Sequence, residues 1–339
     1  MRLDTLINDG SPRQVHCDDI GGNDKRVGVG GAELALLTLL EGWHNQGHEV
    51  VLYNDPLRQG SPFEQRPIDA FDKNAERDIL IVFRSPNHRA FGARGLRVWW
   101  STDQYTQGSF AEFAPAVNKI VTISPFHSRY FFETYGIRDT VSIDLPVRTW
   151  EYKQSIEKVR NRCLFASIPD RGLHELALCW PQIVKEVPDA SLAITSDYRL
   201  WGCAAPLNEQ YIGELFRLPN VRFLGAVRRS ELIVEQMQAD VLAYPCQYAE
   251  LFCITCAEAQ VAGVYPVTSN MGALPITNMG IVIPGDPKNP LWRTMFIDKV
   301  VETLKDPGLR KKQEALKARA IKRFNLERIL REWDKKVFS

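Results

Sequence analysis

The sequence predicts an α/β protein with two parallel sheets in two domains, and three observations carry that prediction. Short apolar runs rich in β-branched residues recur along the chain. Each is followed by a segment of helical periodicity, which is the pattern of a parallel sheet layered with helices. The runs fall into two series on either side of a polar, proline-marked stretch, and 339 residues is enough chain for two cores.

In the first series residues 3–7, 50–53, 79–83, 98–100 and 120–123 read as strands buried on both faces. Residues 32–46 read as a helix closed by Gly47. The second series places strands at 163–165, 191–194, 221–224, 241–244 and 264–267, with helices near 173–187, 231–237 and 253–262. Between the series, Pro146 to Glu157 has no clear periodicity and is the expected hinge. The domains are therefore drawn at 1–148 and 149–322. The chain closes with RFNLERILREWDKKVF, in which Asn325 is a helix cap and Leu326, Ile329, Leu330 and Trp333 share one stripe. Such a stripe needs a partner surface, so the last helix, about 323–339, is expected to pack back on the amino-terminal domain.

Composition narrows the function. Hydrophobic residues make up 45% and charged residues 24%, the balance of a folded, water-soluble chain. Forty-two Lys and Arg against 41 Asp and Glu leave a net charge of +1, too little for a global field that holds nucleic acid. No nucleic-acid partner is expected, and an anionic ligand must be held by a local site. The charge-free run from Ala259 to Gly285 is broken by Pro266, Pro275 and Pro284, so it reads as strands and turns rather than a membrane span. MRLDTLINDG lacks the long apolar core of a signal peptide, which makes a cytoplasmic location the expectation. Seven scattered cysteines suit reduced thiols. Cys253 and Cys256 form a lone CxxC with no second pair or histidine nearby, so no metal site is expected. The basic stretch from Lys305 to Arg323 contains Glu314 and spaced alanines and reads as a solvated helix face, with weak peripheral membrane association as its other reading.

The segment YPCQYAELFCITCAEAQVAGVYPVTS carries the most chemistry. A strand ends at Pro245, Glu250 follows in a loop, and a helix starts near Cys253 with Glu258 two turns inside it. At 1.5 Å of rise per residue the two carboxylates stand roughly 10 Å apart, a hexose-to-ribose distance. Between them the N–H groups of Phe252, Cys253 and Ile254, just after Leu251, open the helix and suit a diphosphate through the helix dipole. Two hydroxyl-binding carboxylates around an anion-binding helix start fit a nucleotide diphosphate sugar. Earlier in the chain, GVGGAEL places Gly30 and Gly31 ahead of a helix, where backbone can approach a phosphate with no Cβ in the way.

These segments resemble family 4 of the retaining glycosyltransferases, enzymes of the GT-B architecture in which two Rossmann-like domains face each other across a cleft. The resemblance covers most of the chain. It rests on the E-x7-E spacing of Glu250 and Glu258, on GxxPVTSNxGALPIT and GIVIPGD downstream, on the glycine loop with Glu33 and GHEV, and on FASIPDRGLHELALCW. It implies that Glu250 contacts the transferred sugar, Glu258 the ribose, and Gly30, Gly31 and Arg171 the phosphates. In many relatives a lysine stands where Arg171 does; arginine keeps the charge and adds bidentate hydrogen bonds.

The sequence also departs from the family. Ala166 and Ser167 occupy a stretch where many relatives carry a second cation, and VWWSTDQYTQGSF offers Thr102, Asp103 and Gln104 in place of the usual histidine. His127 reads as a helix-face residue instead. TSDYRLWG replaces the glycine-rich turn that follows Ile194 in relatives. The resulting expectation is a retaining, metal-independent glycosyltransferase without a cofactor. Glu250 and Asp103 would be catalytic, and Gly30, Gly31, Arg171, Leu251, Phe252, Cys253 and Glu258 would bind a nucleotide diphosphate sugar. The acceptor would be a hydroxyl of a glycan, a lipid-linked glycan or a small molecule. A nucleotide-sugar-binding relative without turnover and a GT-B nucleotide-sugar epimerase are the alternatives.

Overall fold

A computed structural model describes residues 1–7, 15–16, 28–55, 62–201, 213, 215 and 217–339. Backbone contacts divide these into two units. One takes in the described residues of 1–24, 29–146 and 325–339, the other Gly28 and the described residues of 147–324. Cys17, Cys203 and Gly202 lie outside the described residues.

The amino-terminal sheet comprises β1 (Arg2–Leu6), β2 (Glu49–Tyr53), β3 (Glu64–Arg66), β4 (Ile79–Phe83), β5 (Leu96–Trp100), β6 (Lys119–Thr122) and β7 (Thr140–Ser142). Its order is β3-β2-β1-β4-β5-β6-β7, with every neighbouring pair parallel. The ILIVF run of β4 is buried at all five positions, as a central strand covered on both faces must be. Leu6, Val51, Leu80, Val82 and Trp99 belong to one buried cluster, and the Trp99 ring meets Phe110 edge-on at 4.9 Å and Phe113 at 5.4 Å.

The carboxy-terminal sheet comprises β8 (Arg162–Phe165), β9 (Ser191–Ile194), β10 (Val221–Phe223), β11 (Val241–Tyr244), β12 (Tyr265–Ser269) and β13 (Ile281–Ile283). Its order is β10-β9-β8-β11-β12-β13, again all parallel. Both orders reverse beside the first strand of their sheet, between β1 and β4 and between β8 and β11. At such a switch point the flanking helices lie on opposite faces, and a crevice opens beyond the carboxyl ends of the two strands. Val241 pairs with Cys163 and Leu242 with Leu164, so the loops leaving β8 and β11 emerge side by side.

The sequence reading missed three strands, β3, β7 and β13. Each is three residues long and lies at a sheet edge, or in β13 at the end of the order, too short for a period to register. Element ends shift by one or two residues elsewhere. The helix expected from Cys253 begins at Ile254, because Cys253 itself adopts φ +71°.

The closing helix, Leu326–Trp333, is capped by the Asn325 side chain, which accepts from the Arg328 N–H at 2.8 Å. Its stripe packs within the amino-terminal unit: Trp333 lies 5.3 Å from Trp43 and 5.4 Å from Trp100. The preceding helix, Leu309–Phe324, buries Leu309, Leu316, Ala320 and Phe324. Three of its charges are engaged within the carboxy-terminal unit, Arg310 with Asp240, Lys312 with Asp306 at 2.6 Å, and Arg323 with the Ile276 carbonyl at 2.6 Å. Among the described residues no helix is long and apolar enough to cross a membrane.

Candidate functional site

The carboxy-terminal crevice gathers residues from both of the loops that flank its switch point. After β8 the chain passes Ala166 and Ser167 and makes a tight turn, Pro169–Arg171, ended by Gly172 at φ +102°. A Cβ at Gly172 would run into the Pro245 carbonyl, so only glycine lets this turn close on the end of β11. That contact delivers Arg171 to the Glu250 loop. The Arg171 guanidinium stacks on the Tyr248 ring at 3.2 Å from its centre, and its Nε lies 3.9 Å from Glu250 Oε1. Burial alone would lower the Arg171 pKa; the Glu250 carboxylate and neighbouring groups outweigh it and raise the value, keeping the cation charged.

Glu250 is fixed from two sides. Tyr244, the last residue of β11, donates its phenol proton to Glu250 Oε1 at 2.7 Å. The loop after β12 brings Gly272, at φ +60°, against the Glu250 backbone, where a Cβ would collide with both the N and the O of Glu250. The Ala273 N–H then donates to the Glu250 carbonyl at 2.6 Å. The carboxylate remains 14% exposed and Arg171 18%, so both are held yet reachable.

The helix Ile254–Val261 starts beside them. Thr255 Oγ1 donates to the Ala166 carbonyl at 3.0 Å, tying the helix start to the loop after β8. Among the described residues the N–H groups of Phe252, Cys253 and Ile254 donate to no other group, which leaves the positive end of the helix open to an anion. The side chains of Leu251, Phe252 and Cys253 are buried, Phe252 edge-on to Phe324 at 5.9 Å, so any ligand contact from them is through backbone. Burial pushes the Cys253 thiol well above its ordinary range, as it does for Cys246 and Cys256, and leaves all three protonated at neutral pH.

Glu258 does not present a free carboxylate. It is 5% exposed and pairs with Arg229 Nη1 at 2.6 Å, while Gln236 Nε2 reaches its other oxygen at 3.3 Å. Arg229 also holds Glu151 at 2.8 Å, and Tyr152 completes the cluster by donating to Gln236 at 2.6 Å. Burial would lower the Arg229 pKa, but Glu258, Tyr152 and Glu151 raise it well above the ordinary value.

The amino-terminal crevice holds a second charged cluster. Arg84 follows β4 directly and adopts φ +63°, which turns its side chain between two carboxylates. Its Nη2 lies 2.5 Å from Glu33 Oε1 and its Nε 2.6 Å from Asp103 Oδ2. Asp103 is 40% exposed and also accepts from Thr102 Oγ1 at 3.2 Å. Gly30 caps the helix Gly31–Asn45, and its carbonyl accepts from the Leu34 N–H at 2.9 Å. His127 is wholly buried in the helix Pro125–Tyr135, 4.5 Å edge-on to Phe131, and burial lowers its pKa to about 3. A neutral imidazole in that position does not exchange protons with a ligand at neutral pH.

Sequence reading named Glu250, Arg171 and Asp103 but not Tyr244, Arg229 and Arg84, which the structure places against Glu250, Glu258 and Asp103. Tyr244 ends a strand whose other residues are apolar, so it read as core. Arg84 carried a signal, a charged residue immediately after the most apolar strand of the first series.

Known proteins resemble this chain in sequence and in fold. Residues 169–323 match the family described as glycosyl transferases group 1. A stretch of 162 residues is 29% identical to the phosphatidyl-myo-inositol mannosyltransferase of Mycobacterium tuberculosis, covering 46% of this chain and 40% of that protein. Another, of 243 residues, is 24% identical to the GDP-mannose-dependent monoacylated alpha-(1-6)-phosphatidylinositol monomannoside mannosyltransferase of Corynebacterium glutamicum, covering 63% and 60%. The matches thus span about 40–60% of the length of these curated relatives. In structure the chain is similar to Anabaena HepE in complex with UDP-glucose, with a TM-score of 0.72 at 16% identity over 99% of each chain. The fold is that of the GT-B glycosyltransferases, and residues 169–323, just under half of the chain, match the glycosyl transferases group 1 family.

Proposed function

We propose that this protein transfers a sugar from a nucleotide diphosphate sugar to a hydroxyl acceptor, with retention of anomeric configuration and without a metal ion. The observation that carries the reading is the convergence of Arg171, the open N–H groups before Ile254 and the carboxylate of Glu250 at the carboxyl ends of β8 and β11. A cation and a helix amino terminus take a diphosphate, and a carboxylate beside them takes a sugar hydroxyl. Both anion-binding groups are fixed before the ligand arrives, so they stabilise the charge that builds on the departing diphosphate more than the ground state. Glu258, already committed to Arg229, would reach a ribose hydroxyl only as part of that pair.

Retention in this reading follows a front-face route. The bond from the anomeric carbon to the diphosphate oxygen breaks, and the acceptor oxygen bonds to that carbon on the same face. The acceptor proton passes to the diphosphate oxygen that left. Asp103, aimed by Arg84, orients the acceptor hydroxyl, so Asp103→Asn should slow transfer about 10-fold to 100-fold without trapping a glycosyl-enzyme. Mass spectrometry of the variant under turnover checks this, and a covalent adduct on Asp103 or Glu250 would overturn the route.

The mannosyltransferase names of the relatives and the UDP-glucose bound to HepE make GDP-mannose and UDP-glucose the first donors to test, with inositol-containing lipids among the acceptors. A thermal-shift screen of UDP-, GDP-, ADP- and TDP-sugars selects the donor, because a ligand bound only by the folded state raises the melting point. Nucleotide release with that donor should need an acceptor, should survive EDTA, and should give a product whose anomeric configuration matches the donor by NMR. An inverted product, or activity lost with EDTA and restored by manganese, defeats the reading. A donor-binding relative without turnover has one observation in its favour, the engagement of both Asp103 and Glu258 by arginines, and absence of release with every acceptor would establish it.

A further inference from the structure

Tyr244 is placed to decide how Glu250 meets its ligand, and no similarity to a known protein assigns it a role. Its ring is wholly buried at the end of β11, packed 5.7 Å from Phe165, so the phenol oxygen has little freedom. That oxygen sits 2.7 Å from Glu250 Oε1 and 3.3 Å from the Ser167 hydroxyl. Every other polar contact of the carboxylate reaches the same oxygen: Arg171 Nε at 3.9 Å and Cys246 Sγ at 3.9 Å. Among the described residues Glu250 Oε2 is approached by no donor.

We propose that Tyr244 is a positioning residue that commits one oxygen of Glu250 to the protein and so presents the other, Oε2, as a single acceptor for one hydroxyl of the donor's sugar. The proposal rests on the donor-site reading above and sharpens it from a carboxylate near the sugar to a one-oxygen, one-hydroxyl contact.

The chemistry of the surroundings supports the assignment. The titratable and charged groups facing Glu250 are Tyr244, Cys246, Cys253, Cys256 and Arg171. Burial first, then the nearby Cys246 and Glu250, raise the Tyr244 pKa well above the ordinary phenol value, so Tyr244 holds its proton and acts only as a donor. The three cysteines are likewise held protonated, which leaves Arg171 as the cation beside the carboxylate. At 3.9 Å, Arg171 balances the charge without a close hydrogen bond, and the short bond from Tyr244 sets the direction. Gly272 and Ala273 fix the backbone of Glu250, Tyr244 fixes the head group, and the carboxylate is held at both ends.

A double-mutant cycle on the full chain tests the proposal. Tyr244→Phe, Glu250→Gln and the double variant are compared with wild type by calorimetry, with UDP-glucose and UDP, and with GDP-mannose and GDP. The expected result is about a tenfold loss of affinity for the sugar nucleotide in Tyr244→Phe, a similar or larger loss in Glu250→Gln, and no further loss when the two are combined. Affinity for the free nucleotide should stay within about twofold throughout, which also shows that the variants fold. A merely structural Tyr244 would weaken both ligands, and its effect would persist in the Glu250→Gln background; either result overturns the proposal. If wild type binds the sugar nucleotides no better than the free nucleotides and Glu250→Gln changes neither, the donor-site reading falls and takes this proposal with it. If wild type and Glu250→Gln differ as expected while Tyr244→Phe behaves as wild type, the proposal alone fails.

Discussion

Replacing Glu250 by alanine should lower sugar transfer by about 100-fold or more while leaving the carboxy-terminal unit folded. The side chain stands in a loop and is 14% exposed. Its loss removes the acceptor of the Tyr244 phenol, but the Ser167 hydroxyl at 3.3 Å remains to receive that proton. The stability cost should therefore stay near 1 kcal/mol, the net worth of one hydrogen bond, rather than the larger penalty of an orphaned buried donor. Arg171 keeps its stack on Tyr248 and loses the nearest negative charge, so the site should bind free UDP or GDP as well as before or better. The signature is a fall in turnover with intact nucleotide affinity, read by nucleotide release, calorimetry and far-UV circular dichroism. A folded variant with wild-type turnover would remove Glu250 from the chemistry.

Glu250 stood out in the sequence as a loop carboxylate between an apolar strand and a helix of small residues. Strands of both sheets were legible for a related reason: VLAY in β11 and ILIVF in β4 are continuous apolar runs, which only a sheet covered on both faces requires. The edge strands escaped because EQR is polar at all three of its positions and TVS at two of three. Partner choice was the deeper limit. Spacing along the helix placed Glu258 at a useful distance from Glu250, but the arginine that claims it lies 29 residues earlier at the start of the helix Arg229–Gln238, and only the packing of two helices brings them together. Arg84 and Asp103 meet in the same way, across adjacent strands β4 and β5 that end level with one another.

Replacing Arg229 by alanine should destabilise the carboxy-terminal unit by about 3–5 kcal/mol, the usual cost of removing one partner from a buried ion pair. Arg229 is the only cation contacting Glu258 or Glu151 among the described residues of this cluster apart from Arg148, which pairs with Glu151 at 2.7 Å. Glu258 would then be left buried with only Gln236 as a donor. Tyr152 offers no relief, because its proton already goes to Gln236 and burial raises its pKa well above the ordinary value. Removing both charges should cost much less: Arg229→Met with Glu258→Leu restores apolar volume without a lone charge, and pairs exchanged in that way are often neutral in stability. Urea unfolding of wild type, the single variant and the double variant at pH 7.5 measures this. A deficit under 1 kcal/mol would mean that Glu258 turns out to water when Arg229 is lost, and a carboxylate that mobile would be free to meet a ribose hydroxyl on its own.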